Sequence, residues 1–231
     1  MIVAVTGGKG GVGKSTVALN LGYELEAVVV DGDLATGDLP GSSDPTLYDV
    51  LARGVSPLDA VERIGPVRVL PAGRTLAGAR ASDLTALEAV LERVEREYGT
   101  VVVDCPAGLA RDVGTVLHAS HLAVLVTTPE ETALVDALRT RKLVSDLETP
   151  VAAVVLNMAE SDEQALPTAR LEREFSAATA VLTERAAVDE AQAAWLPVAE
   201  YDPESKAVER FGDVARMVTQ CERRLSGTVG I

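Results

Sequence analysis

Gly8-Lys9-Gly10-Gly11-Val12-Gly13-Lys14-Ser15-Thr16 follows directly on the apolar run Ile2–Val5. From Gly8 to Ser15 it satisfies G-x-x-x-x-G-K-[ST], the pattern of a loop that wraps phosphate oxygens in backbone N–H groups. Glycines let successive amides turn inward where side chains would obstruct them. A helix starting at the end of the loop adds the positive end of its dipole. In such a loop Gly8, Gly10, Gly11, Val12 and Gly13 supply backbone and Thr16 ends the cradle. Lys14 reaches the β- and γ-phosphates, and the Ser15 hydroxyl holds Mg²⁺.

The same stretch also fits G-x-G-x-x-G through Gly8, Gly10 and Gly13. Asp31 then stands about where a dinucleotide fold keeps its ribose-binding acid. An NAD-binding oxidoreductase is therefore the alternative. Lys14-Ser15 weighs against it, because a triphosphate–Mg²⁺ site uses a lysine followed by a hydroxyl and a dinucleotide site requires neither.

Outward from the loop, short apolar runs alternate with helical patterns. The runs are Ile2–Val5, Ala27–Val30, Val67–Leu70, Val101–Val103, Leu122–Val126, Val151–Leu156 and Ala178–Leu182. Between them lie the stripe Leu84, Leu87, Val90, Leu91, Val94 and a less regular one, Leu134, Ala137, Leu138, Val144, Leu147. This alternation predicts an α/β fold, a mostly parallel, doubly wound sheet flanked by helices. Asp44-Pro45 and Ser56-Pro57 read as N-caps followed by a first-turn proline, and Gly54 and Gly99 as helix stops. Ala207–Leu225 reads as a terminal helix with Phe211, Val214, Val218, Cys221 and Leu225 on one side. With no linker or repeat, residues 1–231 are expected to form a single domain.

Aromatic residues make up 3% of the chain, so the core must be built from Val, Ala and Leu. The net charge is −14. Lysine occurs only at positions 9, 14, 142 and 206, two of them within the glycine loop, and arginine carries the remaining positive charge. We read this as a salt-adapted (halophilic) surface. Its sign opposes nucleic-acid binding, which depends on Lys and Arg at phosphates. Cys105 and Cys221 form no CxxC and read as free thiols of a reducing compartment. No secretory leader precedes the loop and no run approaches the ~20 apolar residues needed to span a bilayer, so a cytoplasmic location is expected. His118 and His121 read as helix-end or loop residues.

The early lysine of Lys9-Gly10-Gly11-Val12-Gly13-Lys14-Ser15-Thr16 resembles the deviant phosphate loop of the MinD/ParA family of P-loop ATPases. That resemblance extends over nearly the whole chain and implies ATP and Mg²⁺ as ligands and an ATP-dependent homodimer. It implies that Lys9 crosses the dimer interface to the partner's nucleotide, as an arginine finger would. Val29-Val30-Asp31-Gly32-Asp33-Leu34 is similar to the family's first switch, with Asp33 orienting the attacking water near Mg²⁺. Val101–Gly108, containing Asp104-Cys105-Pro106-Ala107-Gly108, is similar to its second, with Asp104 holding Mg²⁺ through water. Thr127-Thr128-Pro129-Glu130 and Asp136-Ala137 resemble the segment after the fifth strand. Asn157 matches the asparagine that reads adenine, and Thr183-Glu184 takes the place of a proline near the base. Asp38-Leu39-Pro40 departs from the family's Asn-Leu-Asp.

Within the family, Asp-Cys-Pro-Ala-Gly favours a MinD-like regulator of spatial positioning or assembly, most similar to those of salt-loving archaea. A ParA-like DNA-partition ATPase would need a basic face, and Arg223-Arg224 is too little. An iron–sulfur carrier would need a C-terminal CxxC. The tail Ser226–Ile231 carries no charge and cannot form a basic interfacial helix. Any membrane association is therefore expected to be peripheral and through an unidentified regulatory partner.

Overall fold

The computed structural model describes residues 1–35, 37, 39–41, 44–73, 82–108, 111–159, 168–183 and 186–228. Strands β1 (Ile2–Thr6), β2 (Val28–Asp31), β4 (Val67–Leu70), β5 (Val101–Asp104), β6 (Leu122–Thr127), β7 (Val151–Ala159) and β8 (Ala178–Thr183) coincide with the seven apolar runs. One strand, β3 (Glu62–Ile64), was not expected. Together they form a sheet of order β3-β4-β2-β5-β1-β6-β7-β8. Every pairing is parallel except β3 with β4.

The strands are nearly continuous valine, leucine and alanine because both faces are covered, as a parallel sheet requires. Side chains alternate between faces along each strand. Ile2 and Ala4 enter one core with Val28, Val30, Val101 and Val103. Val3 and Val5 enter the other with Val29, Val102, Val124 and Val155. The first core is roofed by α2 (Leu47–Arg53), α3 (Leu87–Tyr98), α4 (Arg111–His118), α5 (Glu131–Asp146) and α6 (Thr168–Phe175). The second is roofed by α1 (Lys14–Glu24), α7 (Ala186–Ala193), α8 (Val198–Tyr201) and α9 (Lys206–Thr228). Doubly wound is thus the observed architecture.

Several local expectations change. Asp44 does not cap a helix: α2 begins at Leu47, where Thr46 and Asp49 form a capping box. Ser56-Pro57 opens only a turn, closed by Asp59 N–H donating to the Ser56 carbonyl and Ala60 N–H to that of Pro57. Gly54 and Gly99 do end α2 and α3, at φ 69° and 83°. In the terminal helix Phe211, Val214 and Val218 are buried, but Leu225 is exposed. Leu138 of α5 is likewise exposed. Among the described residues no helix is long and apolar enough to cross a membrane.

Candidate functional site

The strand order reverses at β1, with β5 and β2 on one side and β6 and β7 on the other. Crevices at the carboxyl ends of strands around such a reversal are where open α/β sheets bind ligands. The glycine loop leaves β1 at this point and enters α1 through Gly13, whose φ of 94° is left-handed. A β-carbon on Gly8 would run into the Asp136 backbone of α5. One on Gly13 would overlap the Asn157 side-chain amide. The loop is therefore packed against β7 and α5 through positions where only glycine fits.

Lys14, Ser15 and Thr16 form the first turn of α1. Lys14 is 9% exposed, and its positive charge opposes any rise in the pKa of Cys105. Burial, followed by the charge of Asp104, outweighs that and pushes the Cys105 thiol up, so it is an inert, protonated core residue. The Thr16 hydroxyl donates to Gln192 of α7 at 2.6 Å. Asn20 donates to the Thr16 carbonyl and accepts from Val198 N–H, both at 2.8 Å. These bonds fasten the phosphate helix to α7 and α8.

The acidic wall comes from two identical strands, β2 and β5, each reading Val-Val-Val-Asp. Their register pairs Asp31 with Asp104, and β1 pairs Val5 with Asp104. Asp104 is thus one strand from Asp31 and beside Val5, three residues before the loop begins at Gly8. Asp31 is fully buried. Burial, then the neighbouring Asp104 charge, raises its pKa to about 7. Hydrogen bonds from Leu39 N–H and Asp33 N–H, both 3.1 Å, oppose that rise. Asp33 accepts from Ala35 N–H at 3.0 Å, forming the turn just beyond β2.

The two ends of the loop differ in their neighbours. Lys9 Nζ donates to Glu130 Oε2 at 2.5 Å and to Thr132 Oγ1 at 3.3 Å, at the start of α5. Asn157 does not follow β7, as the sequence suggested, but lies within it, and its Nδ2 donates to the Val12 carbonyl at 2.9 Å. Glu184 and Asp38 lie outside the described residues. Glu130 was quoted from the sequence only as part of the Thr127–Glu130 segment, with no partner assigned, and Thr132 and Gln192 were not singled out. Their partners lie more than a hundred residues away in the chain, and no local pattern encodes them.

The donor set fits a hard divalent cation: the half-buried Ser15 hydroxyl and the carboxylates of Asp104 and Asp33 are all oxygen ligands. No cluster of three or more His, Cys, Asp or Glu able to hold an ion occurs among the described residues. An ion here would therefore take much of its shell from phosphate oxygens and water, the usual manner of Mg²⁺.

Residues 1–166 match the family model described as ParA: NUBPL iron-transfer P-loop NTPase. An ATP-binding protein of Methanocaldococcus jannaschii is 33% identical over 174 residues, which are 70% of this chain and 66% of that one. The chain therefore spans about two thirds of that relative's length. The structure of the Pyrococcus furiosus cell division ATPase MinD superposes with a TM-score of 0.87 at 29% identity, covering 95% of this chain and 98% of that one. The septum site-determining protein MinD of Pyrococcus horikoshii, solved with Mg-ADP, gives 0.85 at 28% identity, covering 94% and 95%.

Proposed function

Because the chain belongs to the ParA family of P-loop NTPases, we propose that it binds ATP with Mg²⁺, hydrolyses it and uses the cycle to switch between monomer and homodimer. The observation that carries this is the pairing of a glycine cradle ending in buried Lys14 with Asp104 on the adjacent strand. The backbone amides of Gly10–Gly13 and the N-terminus of α1 hold the phosphates. Lys14 supplies charge to the β- and γ-phosphates. Ser15, with Asp104 and Asp33 acting through water, would hold Mg²⁺, which supplies charge neutralisation where the transferred phosphoryl develops it. Asp33 orients the attacking water. Asn157 reads the base.

Lys9 acts in trans. In the monomer it rests on Glu130 and Thr132. When two protomers close face to face, it leaves them for the partner's phosphates. The segments around Asp33 and Asp104 then order into a surface for a regulatory protein, and hydrolysis releases them. Solved neighbours named for cell division and septum-site determination support a role in spatial positioning or assembly. Membrane contact is expected only through a partner. The net charge of −14 fits work in concentrated salt and opposes DNA partition. An iron-transfer role is not favoured: Cys105 packs on one face of the sheet and Cys221 against the other. An oxidoreductase reading leaves Lys14 without a purpose.

The test is the solution mass of wild type and Asp33→Ala in high salt, with ATP and Mg²⁺ or with ADP. A dimer only with ATP, longer-lived in the variant, is the expected result. A monomer with ATP bound under every condition would remove the switch.

A further inference from the structure

The asparagine expected to read a base has a second task. Strand β7 breaks register between Leu156 and Ala159, and within that break Met158 takes a φ of +58°. This is the left-handed region, costly for a residue with a β-carbon. Register breaks of this kind re-aim a side chain and concentrate beside functional sites. What this one aims is Asn157, 8% exposed, with its amide against the phosphate loop 145 residues earlier in the chain.

A carbonyl oxygen can only accept, so the group facing Val12 must be the Asn157 –NH₂. That orientation leaves Oδ1 to accept from elsewhere, and a purine exocyclic amine is such a donor. The next residue along the loop confirms how close the approach is. A β-carbon on Gly13 would overlap the same Nδ2, and Gly13 needs its glycine for a φ of 94° as well. Strain at Met158, the register break, the buried amide and the cleared space at Gly13 all converge on one hydrogen bond.

We propose that Asn157 is a positioning residue for the phosphate loop: its side-chain amide braces the Val12–Gly13 peptide, so that the inward set of the loop amides depends on β7. This rests on the nucleotide reading given above for what the loop binds, but not for the brace itself. Triphosphate binding is then coupled to the base-facing strand through one side chain. Ligands that lack a base still depend on Asn157, which a purely base-reading asparagine does not predict.

The nucleotide-free protein tests the brace directly. In wild type, the Asn157 side-chain amide should exchange slowly with solvent, and fast exchange overturns the proposal. In Asn157→Ala and the isosteric Asn157→Asp, backbone amides of residues 8–16 should exchange about tenfold faster. Protection in β5 and β6 should stay unchanged. Loop exchange equal to wild type in a folded variant overturns the proposal. Equilibrium binding of inorganic tripolyphosphate and of ATP, each with Mg²⁺, gives the second measurement. Tripolyphosphate should weaken about tenfold in both variants, and ATP at least as much. Weaker ATP with unaltered tripolyphosphate would reduce Asn157 to base reading and overturn the brace. A wild type that binds neither ligand, with Lys14→Ala behaving identically, would sink the nucleotide reading instead, while the exchange measurement still decides the brace.

Discussion

The two lysines of the glycine loop stand five residues apart and live in different worlds. Lys14 is 9% exposed, set in the first turn of a helix that is tied to α7 and α8 by Thr16 and Asn20. The Lys9 side chain is 39% exposed and rests on a Glu130 that is itself 65% exposed. Burial fixes the first in place whatever the chain does around it. The second is held by an exposed ion pair, a contact worth about 0–1 kcal/mol, and so is free to exchange partners. The proposed monomer–dimer switch would use both kinds: a fixed cation to bind the triphosphate in every state, and a movable one to report that a second protomer has arrived.

The buried end should give the largest effect. Lys14→Ala is expected to lower ATP affinity about a hundredfold or more, because charge-assisted bonds to phosphate are lost from a dry site. Calorimetric titration checks this, and affinity near wild type would mean that the cradle does not bind a triphosphate. On β2, two strands from the one that leads into the loop, Asp31 has a pKa raised from 3.8 to about 7. The folded protein then holds a proton that the unfolded chain has already released. Stability should therefore fall as pH rises from about 4 to about 7, by about 1.4 kcal/mol per pH unit from this group. Asp31→Asn should flatten that slope in urea titrations of the nucleotide-free, metal-free protein. An unaltered slope would show that the carboxyl is not protonated in the fold.

At the exposed end, Lys9→Ala should keep ATP affinity within a few-fold of wild type, yet weaken ATP-dependent dimerisation about tenfold or more. Sedimentation at several protein concentrations measures this, and a wild-type dimer constant would abolish the contrast between the two lysines. Glu130→Gln should give the smallest change, a dimer about two- to fivefold tighter, because only an exposed pair is released. The gain should vanish in concentrated salt, where such pairs are screened. A weaker dimer would instead give Glu130 a role in the closed state.

Much of this site was legible in the chain because it is built from contiguous spacing. The loop pattern from Gly8 to Ser15, the two Val-Val-Val-Asp strands and the apolar runs are local signals with fixed periods, and the structure follows them. The failures have physical causes. Strand β3, Glu-Arg-Ile, is three residues long and partly polar, too short for any period to register. Asp44-Pro45 outweighed Thr46 as a cap, although the Thr46–Asp49 spacing carried the capping signal. Leu138 and Leu225 carry helical spacing, yet both are exposed on the covering helices, because spacing alone does not say where on a helix its packed face ends.

By itself the sequence determined the sheet, its winding and the phosphate loop, since periodicity and glycine placement act over a few residues at a time. Tertiary structure alone decided which groups the loop answers to: Glu130 at one end, Asn157 at the middle, Gln192 beyond it. Those contacts join residues separated by more than a hundred positions. They depend on strand order and on a register break in β7, which arise only when every strand has found its neighbour.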